Sequence, residues 1–439
     1  MILTAMLFYP GGEHLTSWRL PGGRPDDYLT HGYYEDFART AERGGFTALF
    51  YADELYVWDR FPSGVEHVAN VRPEPFGLLG ALTRSTERIG LVATVSTTWN
   101  QPFHTARQVG SLDFLSSGRA GWNLVTSASD EEARNFGLDV NLDHAARYRR
   151  AGEYVEVVQG LWDSWDDDAI RPDVTSGRYA DPAGMHVLDH EGEFFRVRGP
   201  LNLPRPPQGH PVLFQAGSSE DGRRLAGKHA EAVFVPGSAP LEGARKLADD
   251  YKRRAADNGR DPAHLKVLPA LSPVLGETPE RALERVDEIE ALTPDRLSLD
   301  WLSHHLGVDL SGHPLDDRFE FDFSGGSNQV QTVFEGIRKL MERQSDPERF
   351  TVRDLYRTML RRRFLPGTPE QVADWMVERF ENGAADGFTL AFSSVPAGLE
   401  EFVEQVVPLL VRRGALPPEL PAATLRENMG LPVPPSRYA

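Results

Sequence analysis

Residues 118–127 read GRAGWNLVTS and carry the strongest indication of the fold. Residues 120–126 form a nearly continuous apolar run, which is typical of a parallel strand buried on both faces. The run ends in the hydroxyl side chains of Thr126 and Ser127. A helical segment follows at 143–165, in which His144 and Tyr148 are four residues apart and therefore share one face. A buried strand followed by a helix is the repeating unit of α/β folds.

The same alternation of apolar strands and helix-period segments continues along most of the chain. The candidate strands are 2–9, 46–52, 89–97, 120–126, 211–216, 232–235, 265–275 and 387–392. The candidate helices are 33–43, 75–83, 104–115, 143–165, 221–229, 241–258, 279–292, 369–381 and 399–413. Eight strand–helix repeats favour an α/β fold with a closed (β/α)8 TIM barrel over an open, doubly wound sheet.

Two stretches interrupt the alternation and are interpreted as insertions on a single barrel domain spanning 1–439. Residues 166–209 are rich in Asp, Gly and Pro and include a candidate hairpin at 192–198. Residues 293–329 lack a clear period and contain the sequence GGS at 325–327. Long aperiodic loops in compact folds are usually lids or binding loops. The Pro-rich tail, 416–439, is expected to wrap around the surface or a partner subunit.

The composition excludes several classes of function. There are 65 acidic and 47 basic side chains, giving a formal net charge of −18, and such a surface repels nucleic acid and anionic membranes. Cysteine is absent, which excludes disulfides, thiolate metal sites and cysteine nucleophiles. No apolar run approaches the roughly 18 residues of a membrane span, and the first residues lack a basic leader. A cytoplasmic protein is expected.

Functional side chains in barrels collect at the carboxyl ends of the strands. The second candidate strand leads to Asp53, the third to Thr98 and the fourth to Ser127. Asp53 precedes an irregular aromatic segment, which argues against a simple helix N-cap, whereas Thr98 fits a turn hydroxyl as well as a ligand contact. Asn123 lies inside an apolar strand, where an unpaired amide would cost about 1–3 kcal/mol. It is therefore expected to serve a ligand or a fixed network.

The fifth candidate strand leads to Gly217, Ser218 and Ser219, and a helix follows. Free backbone amides, a favourable helix dipole and the absence of a bulky side chain suit a bound phosphate. A plain Ser N-cap is an equally good interpretation. His144 and Tyr148 fit either a pair on a helix surface or contacts to a bound anionic cofactor.

The remaining candidates are supported by less of the sequence. Trp58 and Trp99 fall near strand ends and favour a flat pocket for a small, largely apolar organic substrate. His14 follows the first candidate strand, where a polar catalytic group could lie. His186 and His190 are four residues apart in a loop-like setting without a third ligand, so no metal site is predicted.

Taken together, the motifs resemble the bacterial luciferase-like flavin-dependent monooxygenases. The nearest branch is that of nitrilotriacetate, long-chain alkane and dibenzothiophene-sulfone monooxygenases and pristinamycin synthase. The matching segments occur in order along nearly the whole chain. They are 50–53 (FYAD), 96–98 (STT), 106–107 (AR), 111–113 (SLD), 118–119 (GR), 122–127 (WNLVTS), 135–137 (NFG), 144–148 (HAARY), 161–165 (LWDSW), 199–202 (GPLN), 206–209 (PPQG), 211–218 (PVLFQAGS), 367–369 (GTP) and 386–388 (DGF).

The resemblance implies a barrel that binds reduced flavin mononucleotide (FMN) at its rim. The implied contacts are Asp53, Thr98, Asn123, Ser127, His144, Tyr148, Gly217, Ser218 and Ser219. It also implies a two-component system, in which a separate NAD(P)H-dependent flavin reductase supplies the reduced FMN. O2 would add at flavin C4a, giving a hydroperoxide that transfers one oxygen atom to the substrate. A homodimer or higher homo-oligomer is implied as well.

Two other functions remain open at this point. One is a deazaflavin-dependent oxidoreductase on the same barrel, and the other is a flavin-binding protein without catalysis. The chain also departs from one relative, in which a histidine follows the equivalent of Ser127; here Ala128 stands instead, and an acid–base role at that position is lost. Glu54 is only a candidate pocket residue.

Overall fold

The computed structural model describes residues 1–319 and 349–439, and its central feature is a closed barrel of parallel strands. The barrel strands are β1 (Ile2–Leu7), β2 (Ala48–Tyr51), β3 (Gly90–Ser96), β4 (Ala120–Val125), β5 (Val212–Ala216), β6 (Ala232–Pro236), β7 (Lys266–Leu275) and β8 (Gly387–Ala391). Each pairs with its neighbour in sequence, and β8 returns to β1 with Gly387 opposite Ile2. The predicted (β/α)8 TIM barrel is confirmed.

Helices surround the barrel, and short helices also lie within the connections between its strands. They include α1 (His31–Arg43), α2 (Pro62–His67), α3 (Pro75–Leu82), α4 (Pro102–Leu115), α5 (Asp130–Asn135), α6 (His144–Trp162), α7 (Glu220–His229), α8 (Leu241–Asp257), α9 (Pro279–Ala291), α10 (Asp295–Leu306), α11 (Val352–Arg361), α12 (Pro369–Glu381), α13 (Ala397–Gln405), α14 (Val407–Arg412) and α15 (Leu425–Asn428). Short 3-10 turns lie at Ser17–Arg19, Pro25–Asp27, Pro182–Gly184 and Pro262–His264. A further strand, Phe364–Gly367, pairs in parallel with the end of β7.

The structure corrects the sequence prediction at several helices. Helix α10 lies inside the stretch 293–329 that was predicted to be aperiodic, because its buried residues cover most of its circumference and leave no amphipathic pattern. The predicted helix 399–413 is two helices, since Pro408 lacks the N–H that would continue α13. Helices α2, α5 and α11 were not predicted. Residues 320–329 lie outside the described residues, so the full extent of this insertion stays a prediction.

Residues 166–209 form two small antiparallel hairpins, Ile170–Asp173 with Arg178–Ala180 and His190–Glu191 with Arg196–Val197. The carboxylate of Glu153 on α6 anchors the second hairpin. It accepts hydrogen bonds from the backbone N–H groups of Phe194 and Phe195, at 2.9 and 2.8 Å, and lies 3.0 Å from His190 Nε2. His186 instead bonds Asp166 at 2.8 Å. The two histidines therefore meet different carboxylates.

The tail after residue 416 covers the amino-terminal end of the barrel. Leu425 is fully buried beside Gly90 and Gly121, where added Cβ atoms would lie 2.5 and 3.2 Å from its side chain. The buried guanidinium of Arg426 forms an ion pair with Glu231, just before β6, at 2.5 Å. The floor of the barrel is therefore closed, and the carboxyl ends of the strands form its mouth.

Apolar side chains fill the barrel interior from this floor upward. The rings of Phe50 on β2 and Phe234 on β6 stack with centroids 6.0 Å apart, and both line the mouth. In the part of the chain that the structure describes, no helix has the length and apolarity needed to cross a bilayer.

Candidate active site

A cavity of about 570 Å³ opens at the carboxyl ends of the barrel strands, and we call it the mouth cavity. Much of its lining is apolar, with Met6, Phe50, Val125, Phe234 and Ala391 from five different strands. The polar and charged side chains that line it are Glu13, Asp53, Glu54, Thr94, Asn123, Ser238, Ser272, Arg362 and Arg363. An apolar cavity of this size with a few convergent polar groups is typical of a cofactor or substrate site.

Two buried polar atoms at the mouth cavity have no hydrogen-bond partner within residues 1–319 and 349–439. The Asn123 Nδ2 donates to Thr94 Oγ1 at 2.9 Å, but Asn123 Oδ1 is unpartnered, and so is Ser272 Oγ on β7. A buried polar atom without a partner costs about 1–3 kcal/mol. Both atoms are therefore available for hydrogen bonds with a polar ligand in the cavity. Ser272 was not predicted, although it breaks an apolar strand just as Asn123 does.

Two carboxyl groups stand at the end of β2. Asp53 and Glu54 both line the mouth cavity, and Asp53 also lines an adjoining cavity of about 140 Å³ together with Ser127. Burial raises the pKa of Asp53 to about 6 and that of Glu54 to about 7, while the positive charge of Arg72 acts in the opposite direction on both. These carboxyl groups can therefore change protonation near neutral pH.

A hydrogen-bond network joins the ends of β3 and β4. Thr98 Oγ1 donates to the carbonyl of Thr126 at 2.7 Å, and Ser127 Oγ donates to Ser96 Oγ at 2.8 Å. Arg147 on α6 donates to the carbonyl of Ser127. Ser127 has a φ of 46°, in the left-handed region that non-glycine residues seldom adopt. Such backbone strain is common at functional sites.

The amino end of α7 meets α6 beside the end of β5. Ser219 is the N-cap of α7, and its Oγ accepts from the N–H of Gly222 at 3.1 Å. A Cβ atom added to Gly217 or to Gly222 would lie 2.9 or 3.1 Å from the hydroxyl oxygen of Tyr148. The structure therefore brings Tyr148, Gly217 and Ser219 together, and Ser218 between them is exposed.

His144 lies at the edge of the same cluster. Its ring centroid is 4.8 Å from that of Tyr148, one turn further along α6. Its Nδ1 is 3.2 Å from Asp221 Oδ2, in the first turn of α7, and about half of the His144 side chain is exposed. The predicted face of α6 thus points toward α7.

The two tryptophans predicted for the pocket lie outside the lining of the mouth cavity. Trp58 is buried in a separate apolar cluster, with its ring 5.9 Å from that of His304 on α10. Trp99 stacks on Phe136 with centroids 5.1 Å apart and planes 5° apart. The loops after the strands fold back, so that Trp58 is buried in neighbouring packing and Trp99 is half-buried against Phe136. A contact of either residue with substrate stays a prediction.

His14 also lies outside the mouth cavity. Its Nδ1 is 3.0 Å from Thr16 Oγ1 and its Nε2 is 3.2 Å from the Tyr356 hydroxyl on α11. Burial lowers the pKa of His14 to about 3, so the ring is neutral at ordinary pH. His14 therefore joins the loop after β1 to α11, and its catalytic role stays a prediction.

The structure is a TIM barrel with a cavity at the carboxyl ends of its strands. Residues 14–387 match the family model of luciferase-like monooxygenases, and the chain belongs to this family. It is 43% identical to N-acetyl-S-(2-succino)cysteine monooxygenase of Bacillus subtilis (strain 168), over 98% of this chain and 96% of that protein. The protein is thus a flavin-dependent monooxygenase, as its motifs predicted.

Two further comparisons agree with this assignment. The chain is 40% identical to nitrilotriacetate monooxygenase component A of Aminobacter aminovorans, over 99% of this chain and 97% of that one. Among solved structures, a riboflavin lyase with modified FMN and riboflavin is 33% identical, with a TM-score of 0.84, and the match covers 98% of this chain and 95% of that chain. The branch recognised from the motifs is therefore confirmed.

Proposed function

We propose that this enzyme binds reduced FMN at the mouth cavity and uses O2 to transfer one oxygen atom to a small, largely apolar organic substrate. The observation that carries the proposal is the pair of unpartnered buried atoms, Asn123 Oδ1 and Ser272 Oγ, in an otherwise largely apolar cavity. Reduced flavin supplies the electrons that activate O2, a chemistry that amino-acid side chains lack. The protein binds and orients the flavin and limits access of water.

The proposed contacts divide between the two ends of the cofactor. Asp53, Asn123 and Ser272 provide polar groups for the ring system. Thr98 and Ser127 hold the ends of β3 and β4 beside it. Tyr148, Gly217, Ser218 and Ser219 surround the phosphate, with His144 at the edge, because the N-terminus of α7 offers free N–H groups and a favourable dipole. The absence of a side chain at Gly217 supports this assignment, since a Cβ atom there would lie 2.5 Å from Gln215 Nε2 and 2.9 Å from the Tyr148 hydroxyl oxygen.

The same proposal includes a second component. The nitrilotriacetate relative is named as component A, and this supports a two-component system here. A separate NAD(P)H-dependent flavin reductase supplies the reduced FMN in such a system. A homodimer or higher homo-oligomer and a cytoplasmic location belong to the same proposal.

An anaerobic titration tests the cofactor assignment. Reduced FMN, reduced riboflavin and a reduced deazaflavin are added to the protein, and binding is followed by fluorescence. The proposal expects saturable binding of FMN, followed by substrate-dependent O2 consumption in a metabolite screen with a flavin reductase. Preference for the deazaflavin would instead favour a deazaflavin-dependent oxidoreductase. Binding of oxidised flavin without turnover would favour a non-catalytic protein.

The Ser219→Asp variant tests the phosphate position. Aspartate is as good an N-cap as serine, so α7 remains folded while a negative charge is placed where the phosphate binds. We expect FMN affinity to fall about 100-fold or more, and riboflavin affinity to change little. Thr278→Asp makes the same change at the N-cap of α9 and should leave both affinities unchanged. Unchanged FMN affinity in Ser219→Asp would remove the assignment.

A further inference from the structure

The mouth cavity carries opposite charges on different sides. Asp53 and Glu54 follow β2, whereas Arg362 and Arg363 directly precede the strand Phe364–Gly367, which pairs with β7. In the barrel, β2 and β7 are separated by β1 and β8. A molecule in the cavity therefore meets an acidic side and a basic side with apolar surface between them.

The two arginines differ in their surroundings. The guanidinium of Arg363 donates to Glu13 at 3.2 Å and lies 5.7 Å from the ring centre of Trp301. Arg362 is an exposed residue, and its guanidinium has no ion pair or hydrogen bond with any residue in 1–319 or 349–439.

We propose that Arg362 binds a carboxylate group of the organic substrate, while the apolar lining accommodates the hydrocarbon part. A guanidinium presents paired N–H donors that match the two oxygens of a carboxylate. Asp53 and Glu54 disfavour the reversed orientation, so the substrate enters with one defined polarity. The inference rests on the proposed function, because it assumes that the substrate shares the mouth cavity with the flavin.

The phosphate of FMN is a second anion that could meet Arg362. The two sources are separated by comparing FMN with riboflavin, which lacks the phosphate. If Arg362 binds the substrate, Arg362→Gln keeps the FMN-over-riboflavin preference of the unchanged protein. If the variant loses that preference, Arg362 binds the flavin phosphate, and the substrate assignment is overturned.

The main experiment uses full-length protein saturated with FMN and titrated by calorimetry with hexanoate and with hexanamide. The two probes have the same length and shape and differ in charge. We expect hexanoate to bind about tenfold or more tightly than hexanamide. Arg362→Gln should remove this difference, and Arg362→Lys should retain part of it.

Arg361→Gln is the matched control. Arg361 is the adjacent surface arginine, it forms ion pairs with Asp287 and Glu290, and it lies outside the lining of the mouth cavity. This variant should keep the preference for hexanoate. Equal affinities for the two probes, absence of binding by both, or a preference that survives in Arg362→Gln would overturn the inference. Failure of the unchanged protein to bind FMN, visible before any probe is added, would overturn the proposed function itself.

Discussion

Asp53 shows how its position at the barrel mouth changes the chemistry of an ordinary side chain. It follows a buried apolar strand, and removal from water raises its pKa from 3.8 to about 6 despite the opposing charge of Arg72. Asn123 shows the same principle without a charge, because its buried Oδ1 has no partner within the described residues. Burial of each group costs free energy of folding, and each lines the mouth cavity, where it can interact with a ligand.

The pH dependence of stability should reveal the buried Asp53 carboxyl. Because its folded pKa exceeds the unfolded value, its favourable contribution is complete below about pH 4 and is lost as pH rises through about 6. Asp53→Asn has no carboxyl group at this position, so its stability does not fall in this way. The free energy of unfolding of the variant minus that of wild type should therefore rise by about 1 kcal/mol between pH 5 and pH 8. Urea denaturation without flavin at both values measures the difference.

Asp139→Asn, at an exposed position, provides the comparison and should show no such change. An equal difference between Asp53→Asn and wild type at pH 5 and pH 8 would mean that this carboxyl is not perturbed in the folded protein.

At the scale of elements, α15 and the tail close the floor while the loops after the strands build the mouth. Leu425 packs against the first residues of β3 and β4 only because Gly90 and Gly121 have no side chains there. Arg426 adds a buried ion pair with Glu231. We therefore expect stability to depend on one end of the strands and ligand binding on the other, as is usual in this fold.

Truncation of Leu425 should lower stability without changing ligand binding at the other end of the barrel. Leu425→Ala leaves a cavity in the floor and is expected to lower the free energy of unfolding by about 2–5 kcal/mol. Its FMN affinity should be unchanged at temperatures where the protein is folded. Denaturant unfolding and flavin titration measure the two quantities, with Val433→Ala at an exposed position as control. A loss of FMN affinity in the folded variant would show that the two ends are coupled.

The whole molecule brings together residues that are far apart in sequence. Asp53 follows β2, whereas Asn123 and Ser272 lie on β4 and β7, and the three line one cavity only when the barrel closes. A ligand that contacts all of them binds the native state and not the unfolded chain. Binding should therefore stabilise the entire fold.

Reduced FMN at about 100 times its Kd should raise the free energy of unfolding by about 2.7 kcal/mol. Anaerobic urea unfolding with and without FMN measures this increase. The Ser219→Asp variant at the same FMN concentration should show much less. An equal increase in that variant would indicate binding away from the proposed phosphate site.

Prediction from sequence gave the position of a side chain correctly where one local feature determined it. Asn123 was found because it interrupts an apolar strand, and the cluster of Tyr148 with Gly217 was found from helix spacing and a small-residue turn. Arg362 could not be found in this way, because an arginine after a helix is unremarkable until the chain places it at a cavity. The direction of Trp58 could not be predicted either, since a large aromatic side chain near a strand end has no locally defined direction.

Taken alone, the sequence determined the eight-strand barrel, the family and the strand ends that hold polar groups. These follow from apolar periodicity and from short motifs, which are properties of neighbouring residues. Tertiary structure alone decided the surroundings of Trp58 and Trp99, the hydrogen bonds of His14, and the position of Arg362 at the mouth cavity. Those depend on contacts between separate segments, such as Trp58 with His304 and His14 with Tyr356, and such contacts exist only after the chain has folded.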